Sequence, residues 1–160
     1  MLLLLAVILV NWWNHQPEQL EGQVLHVQDG DSFIMMKDGE RTTIRLFAID
    51  CPEKGQAFGQ EAKSFTTALI EDQAVTLEVL DIDRYERLIS QVYLSDGRCL
   101  NHELVEAGLA WWYRQHARND RELERLEKQA RSRKAGLWKD RQPTPPWDYR
   151  NRARAKASNH

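Results

Sequence analysis

Residues Ile44 to Glu53 read IRLFAIDCPE, a strand-like apolar run with an arginine inside it and two carboxylates at its exit. The strand is expected over Arg41 to Ile49. Alternation then puts Ile44, Leu46 and Ala48 on one face and Arg45, Phe47 and Ile49 on the other. Arg45 among apolar neighbours is an expensive charge unless an anion meets it. Asp50, Pro52 and Glu53 follow at once. Two readings stand: an ion pair that serves only the fold, or a site that holds a cation and a phosphate together.

Upstream, Gln23 to Gln28 is a short strand ended by Asp29-Gly30-Asp31, and Ser32 to Met36 is a second. Lys37-Asp38-Gly39-Glu40 between the second and third strands is a hairpin turn of the Asp-Gly kind. Downstream, Gly59 to Ile70 fits a helix with Ala62, Phe65 and Leu69 on one stripe. Ala74 to Leu80 and Leu88 to Leu94 are the fourth and fifth strands. Asn101 can cap a short helix that runs through Ala107 to Gly108. A last helix spans about Asp120 to Lys134, with Leu123, Leu126 and Ala130 inward, and Gly136 stops it. Glu124 with Lys128, and Glu127 with Arg131, form (i, i+4) pairs along it. The pattern predicts an α+β, mainly β chain: a five-stranded OB-fold barrel with about three packed helices.

At 160 residues the chain has room for one domain with a proper core. A net charge of −2, with 29% charged residues, argues against purely electrostatic coating of nucleic acid. The expected organisation is an apolar segment and linker over residues 1–20, the barrel domain over 21–140, and a basic, solvated tail over 141–160. MLLLLAVILV, Met1 to Val10, is too short to span a bilayer, which needs roughly 20 residues. It reads as a shortened signal or membrane anchor, against the alternatives of a packed helix or a displaced start. The favoured reading places the protein outside the cell, in a periplasm or anchored facing outward. Cys51 and Cys99 lack CxxC spacing, which argues against zinc; a disulfide and two separate thiols both stand open.

The remaining polar residues cluster at strand edges: Asp29-Gly30-Asp31, Asp50-Cys51-Pro52-Glu53 and Asp83-Arg84-Tyr85-Glu86-Arg87, with Arg45 inside a strand. Each piece alone is weak, because turns are rich in Asp and Gly. Their order is specific. VQDGDSF, IRLFAIDCPE, DRYER, LNHELVEAGLAWWY, GLW and PPWDYR together resemble the staphylococcal nuclease (thermonuclease-like) family, from Gln23 to about Arg150.

The resemblance implies a Ca²⁺ ion beside the scissile phosphodiester, and no organic cofactor. Asp31 and Asp50 match its carboxylate ligands, Cys51 the position whose backbone carbonyl reaches it, and Asp29 a supporting carboxylate. Glu53 matches the glutamate that orients or deprotonates the attacking water. Arg45 and Arg87 match the two arginines that grip the phosphate, and Arg84 and Tyr85 match substrate contacts. Trp111, Trp112 and Tyr113 do not align with the family's nucleotide-contacting tyrosines, and packing of at least one indole in the core is expected. Two departures stand out. Glu86 replaces a glycine in the turn before Arg87, and Cys51 replaces a threonine.

The chemistry agrees with the resemblance. Ca²⁺ takes oxygen ligands in flexible geometry, so few carboxylates, a carbonyl and waters suffice. Guanidiniums donate paired hydrogen bonds to phosphoryl oxygens, which lysine cannot do in the same fork. The implied protein is a monomeric, Ca²⁺-dependent nuclease that hydrolyses DNA and RNA. The competing reading is an OB-fold nucleic-acid-binding module without catalysis.

Overall fold

The computed structural model describes residues 18–158. The segment Met1 to Val10, read above as a signal or anchor, lies outside the described residues. Five strands close into a barrel in the order β1-β2-β3-β6-β5: β1 (Glu18–Asp29), β2 (Ser32–Lys37), β3 (Glu40–Leu46), β5 (Ala74–Ile82) and β6 (Leu88–Tyr93). All neighbours are antiparallel except β3 and β6, which run parallel. A two-stranded ladder pairs β4 (Ile49–Asp50) with β7 (Trp111–Trp112). Four α-helices accompany the strands among the described residues, α1 (Gly59–Ile70), α2 (Leu100–Glu106), α3 (Arg121–Ser132) and α4 (Pro146–Ala157). The expected OB-type, mainly β architecture is what forms, with one helix more than expected.

β1 is twice as long as the run Gln23 to Gln28 suggests. Its first half pairs with β5 and its second with β2, and register shifts at Val24/His26 and Val27/Asp29 let one strand turn this corner. Residues 18–22 carry no apolar alternation, so they read as linker; main-chain pairing with β5 makes them strand.

The third strand breaks earlier than its apolar run does. Ala48 sits at φ 60°, in the left-handed region, and ends the alternation. Ile49 therefore joins Ile44 and Leu46 in the core instead of facing away with Arg45. Helix α1 spans the expected residues but presents a different stripe: Ala62, Thr66 and Ile70 are buried, while Phe65 and Leu69 are half-buried. Thr66 can be buried because its Oγ1 donates to the Gly30 carbonyl at 2.6 Å.

Asn101 does not cap α2; Cys99 occupies the cap position. The buried Asn101 amide instead fastens three segments: Nδ2 donates to the Phe47 carbonyl at 2.9 Å and the Ser90 carbonyl at 3.3 Å, and Oδ1 accepts from the Val92 N–H at 3.1 Å. Asp120 caps α3 by accepting from the Glu122 and Leu123 amides. Leu123, Leu126 and Ala130 face inward as expected. Glu127 pairs with Arg131 as expected, and its side chain is only 3% exposed. It accepts from the Trp112 N–H and pairs with Arg114 and Arg131, tying α3 to β7. Cys51 and Cys99 are both buried, free thiols.

Candidate functional site

Asp29, Asp31, Arg45, Asp50, Cys51, Pro52 and Glu53 line one cavity of about 350 Å³ together with Arg84, Tyr85, Arg87, Arg150 and Arg154. Every site residue singled out in the sequence therefore lies in a single cleft. Four local devices place them.

The first is the β1–β2 turn. Asp29 Oδ1 accepts from the Asp31 N–H at 3.2 Å and the Ser32 hydroxyl at 2.8 Å, which fixes the turn and turns Asp31 inward. The buried Asp31 in turn accepts from the Cys51 N–H at 2.6 Å through Oδ2. That bond ties the first carboxylate to the loop that carries the second. Gly30 allows the approach: a Cβ there would lie 2.7 Å from Ala62 Cβ and 2.9 Å from Cys51 Sγ. Burial pushes the Cys51 thiol well above its ordinary pKa, so it stays protonated among these carboxylates.

The second device is the β4–β7 ladder. Pairing of Ile49 with Trp112 and Asp50 with Trp111 holds Asp50 where the barrel strand alone would not. Arg45 then bridges the two carboxylates, pairing with Asp31 through Nη1 and with Asp50 through Nη2 at 2.8 Å. The arginine in the apolar run is thus met by two acids.

The third device is the start of α1. A Cβ at Gly59 would stand 2.0 Å from the Glu53 carbonyl oxygen, so only glycine lets the helix pack on the backbone of Glu53. The fourth is the β5–β6 turn. Asp83 accepts from the Tyr85 and Arg87 amides and from the Arg87 side chain at 2.8 Å, aiming the guanidinium. Partial burial pushes the Asp83 carboxyl up, but the hydrogen bonds from Arg87 and Tyr85 outweigh it and hold it below its ordinary value. Glu86, which the resemblance sets at a glycine position, adopts φ 63° and so keeps the turn in the left-handed form glycine favours. Tyr85 projects its ring into solvent, 66% exposed, with Arg84 and Arg87 guanidiniums over it at 5.1 and 5.7 Å.

Trp111 and Trp112 are buried, as expected of at least one of them, and Tyr113 is half-buried. Trp111 stacks edge-on against Trp138 at 4.5 Å between centroids and against Trp147 at 5.7 Å.

Arg150 was missed in the sequence. It lies in the stretch read as a solvated tail, yet it sits on α4 and enters the cleft. Nη2 donates to Asp50 Oδ2 at 2.8 Å; Nη1 donates to Glu53 Oε1 at 2.7 Å and Asp50 Oδ1 at 3.2 Å. These bonds, Asp50's first, outweigh the partial burial and raise its already high pKa. Pro145-Pro146, a helix-start pair, was the available signal for α4.

Among the described residues, no three His, Cys, Asp or Glu side chains converge on a point suited to a metal ion. The donors present are nonetheless those a hard cation takes. Asp31 and Asp50 are close enough to share one guanidinium, and both are acid oxygens beside the Cys51 backbone. A cation at this place would replace the positive charge that Arg45 and Arg150 now supply.

The family model described as staphylococcal nuclease homologue matches residues 43–140. The chain belongs to this family. An endonuclease of Escherichia coli O157:H7, described as uncharacterized, is 38% identical over 91% of this chain and 95% of its own length. A micrococcal nuclease of Shigella flexneri is 34% identical over 86% of this chain and 84% of its own. A staphylococcal-like nuclease of Arabidopsis thaliana is 32% identical over 69% of this chain but 34% of its own length. The staphylococcal nuclease homologue match begins just before Arg45 and ends before α4, so Asp29, Asp31 and Arg150 lie outside it.

Proposed function

We infer that this protein is a nuclease that hydrolyses phosphodiester bonds of DNA and RNA with Ca²⁺ as its metal. The observation that carries the reading is the cleft itself. Two buried carboxylates, a partly exposed glutamate and the guanidiniums of Arg45 and Arg87, brought together from strands and turns, face one polar cavity. Membership of the nuclease family and the nuclease names of full-length relatives support it.

The division of labour follows from the positions. Asp31, Asp50 and the Cys51 carbonyl are the groups that would hold the ion. When bound, Ca²⁺ polarises the phosphoryl oxygen and offsets the negative charge that an attacking hydroxide must approach. Glu53 is 39% exposed at its side chain, so water reaches it, and it is the base that orients and deprotonates that water. Arg45 on β3 and Arg87 just before the neighbouring β6 both line the cleft and would donate to the non-bridging oxygens, where charge grows in the transition state. Arg84 and the exposed Tyr85 ring engage the flanking nucleotide; stacking on a tyrosine is tolerant of base identity, which suits a nuclease without sequence preference.

Purified protein incubated with plasmid DNA and with RNA should cleave both in Ca²⁺ and neither in EGTA. Binding without cleavage under every divalent metal would instead assign the chain to non-catalytic OB modules. We also propose export or outward anchoring through Met1 to Val10. A reporter fused to the first 20 residues should reach or cross a membrane, and a wholly cytosolic reporter would remove this proposal.

A further inference from the structure

We propose that Arg150, carried by α4, is a third phosphate-binding arginine of the cleft, and that its pairing with Asp50 and Glu53 is its resting place before nucleic acid arrives. The inference rests on the nuclease reading above. Three observations carry it.

Arg150 is not needed as the countercharge of Asp50, because Arg45 already pairs with that carboxylate at 2.8 Å. Its contacts also conflict with the work proposed for its partners. A Glu53 oxygen bonded to a guanidinium at 2.7 Å is a weaker proton acceptor, and the guanidinium competes with a cation for the Asp50 oxygen it holds at 2.8 Å. A divalent cation held by Asp50 would bring like charge against the guanidinium and drive it off. A substrate phosphate entering the same cavity would then offer it a new anionic partner.

Burial does not lock this side chain in place. Arg150 is 36% exposed, against 19% for Arg45, so its guanidinium remains hydrated as it moves. Its helix does not need to move with it. Pro146 is buried, Trp147 packs on Trp111 and Tyr113 at 5.7 and 5.3 Å between centroids, and the Tyr149 hydroxyl donates to the Gly55 carbonyl at 3.1 Å. The preceding loop is pinned as well, by Gln56 Nε2 donating to the Thr144 carbonyl at 2.5 Å. The pivot is rigid and only the side chain swings. Arg154, one turn further on, is exposed and lines the same cavity, so α4 offers the cleft a basic wall.

The test is the binding of a fluorescein-labelled single-stranded oligonucleotide at several salt concentrations. It uses full-length protein carrying Glu53→Gln, to prevent cleavage, at saturating Ca²⁺, which neutralises Asp50. Adding Arg150→Ala should weaken binding on the order of tenfold, as loss of a charged hydrogen bond would. The slope of log affinity against log salt should fall by roughly 0.7, the value for one phosphate contact on a single strand. Arg150→Lys should restore the slope but not the full affinity, because an ammonium lacks the fork. An arginine that only braces α4 would leave the slope unchanged, and near-ultraviolet circular dichroism checks that the helix stays packed. Equal affinity and slope for Arg150→Ala would overturn this inference alone. Failure of the Glu53→Gln protein with native Arg150 to bind any oligonucleotide would overturn the nuclease reading with it.

Discussion

Glu53→Gln is expected to retain Ca²⁺ and nucleic-acid binding while cleaving roughly 10²–10⁴-fold more slowly, the usual range for loss of a general base. The amide keeps the shape of the carboxylate and its place at the start of α1, where the Glu53 backbone packs on Gly59. It cannot take up a proton. Structural damage should be small, because the side chain is 39% exposed and its one charged partner, Arg150, keeps two bonds to Asp50. The variant thus separates chemistry from binding. Single-turnover cleavage at saturating Ca²⁺, with folding followed by circular dichroism, reads the difference. Cleavage at the wild-type rate would remove Glu53 from the mechanism and leave the carboxylates and arginines to be reassigned.

Asp31→Ala and Asp50→Ala should each lose Ca²⁺ binding and cleavage together, since both are proposed as direct ligands. The two are not equally clean. Removal of Asp31 strands the Cys51 N–H and takes one of two acids from Arg45, inside a region where both side chains are largely buried. Breaking a buried ion pair in this way costs about 3–5 kcal/mol, so Asp31→Ala also carries a risk of unfolding. Asp50→Ala also breaks buried pairs, with Arg45 and Arg150, but each guanidinium keeps an acid, Arg45 on Asp31 and Arg150 on Glu53, and no backbone N–H is stranded. It is the better test. Calorimetric titration of Ca²⁺ into folded Asp50→Ala protein should show no binding, and wild-type affinity there would place the metal elsewhere or do away with it.

Asp29-Gly30-Asp31, Arg45, Asp50 to Glu53, and Arg84 to Arg87 were legible as a set. Each is a polar group next to a strand boundary, and turn chemistry and alternation are local signals that need no tertiary contact. The barrel class was legible for the same reason, since β2, β5, β6 and α1 each carry their own periodicity. Asn101 and Glu127 show the limit. By local rules they read as a cap and one half of an (i, i+4) pair, yet both are buried polar groups that also bond partners many residues away. Only the packed chain shows that their bonds join Phe47 to β6, and α3 to β7.

By itself the sequence determined the family, the mainly β barrel and the acids and arginines that meet in the cleft, because those depend on short-range pattern and residue chemistry. The tertiary structure decided how they meet. The left-handed turn at Ala48 and the pairing of Asp50 with Trp111 aim the second carboxylate, and neither has a periodic signature. It also decided that α4 belongs to the site. That helix has almost no apolar stripe, so its sequence resembles a solvated tail. It is held by Trp147, Tyr149 and Arg150 reaching residues 36, 94 and up to 100 positions away, contacts that exist only once the barrel has closed.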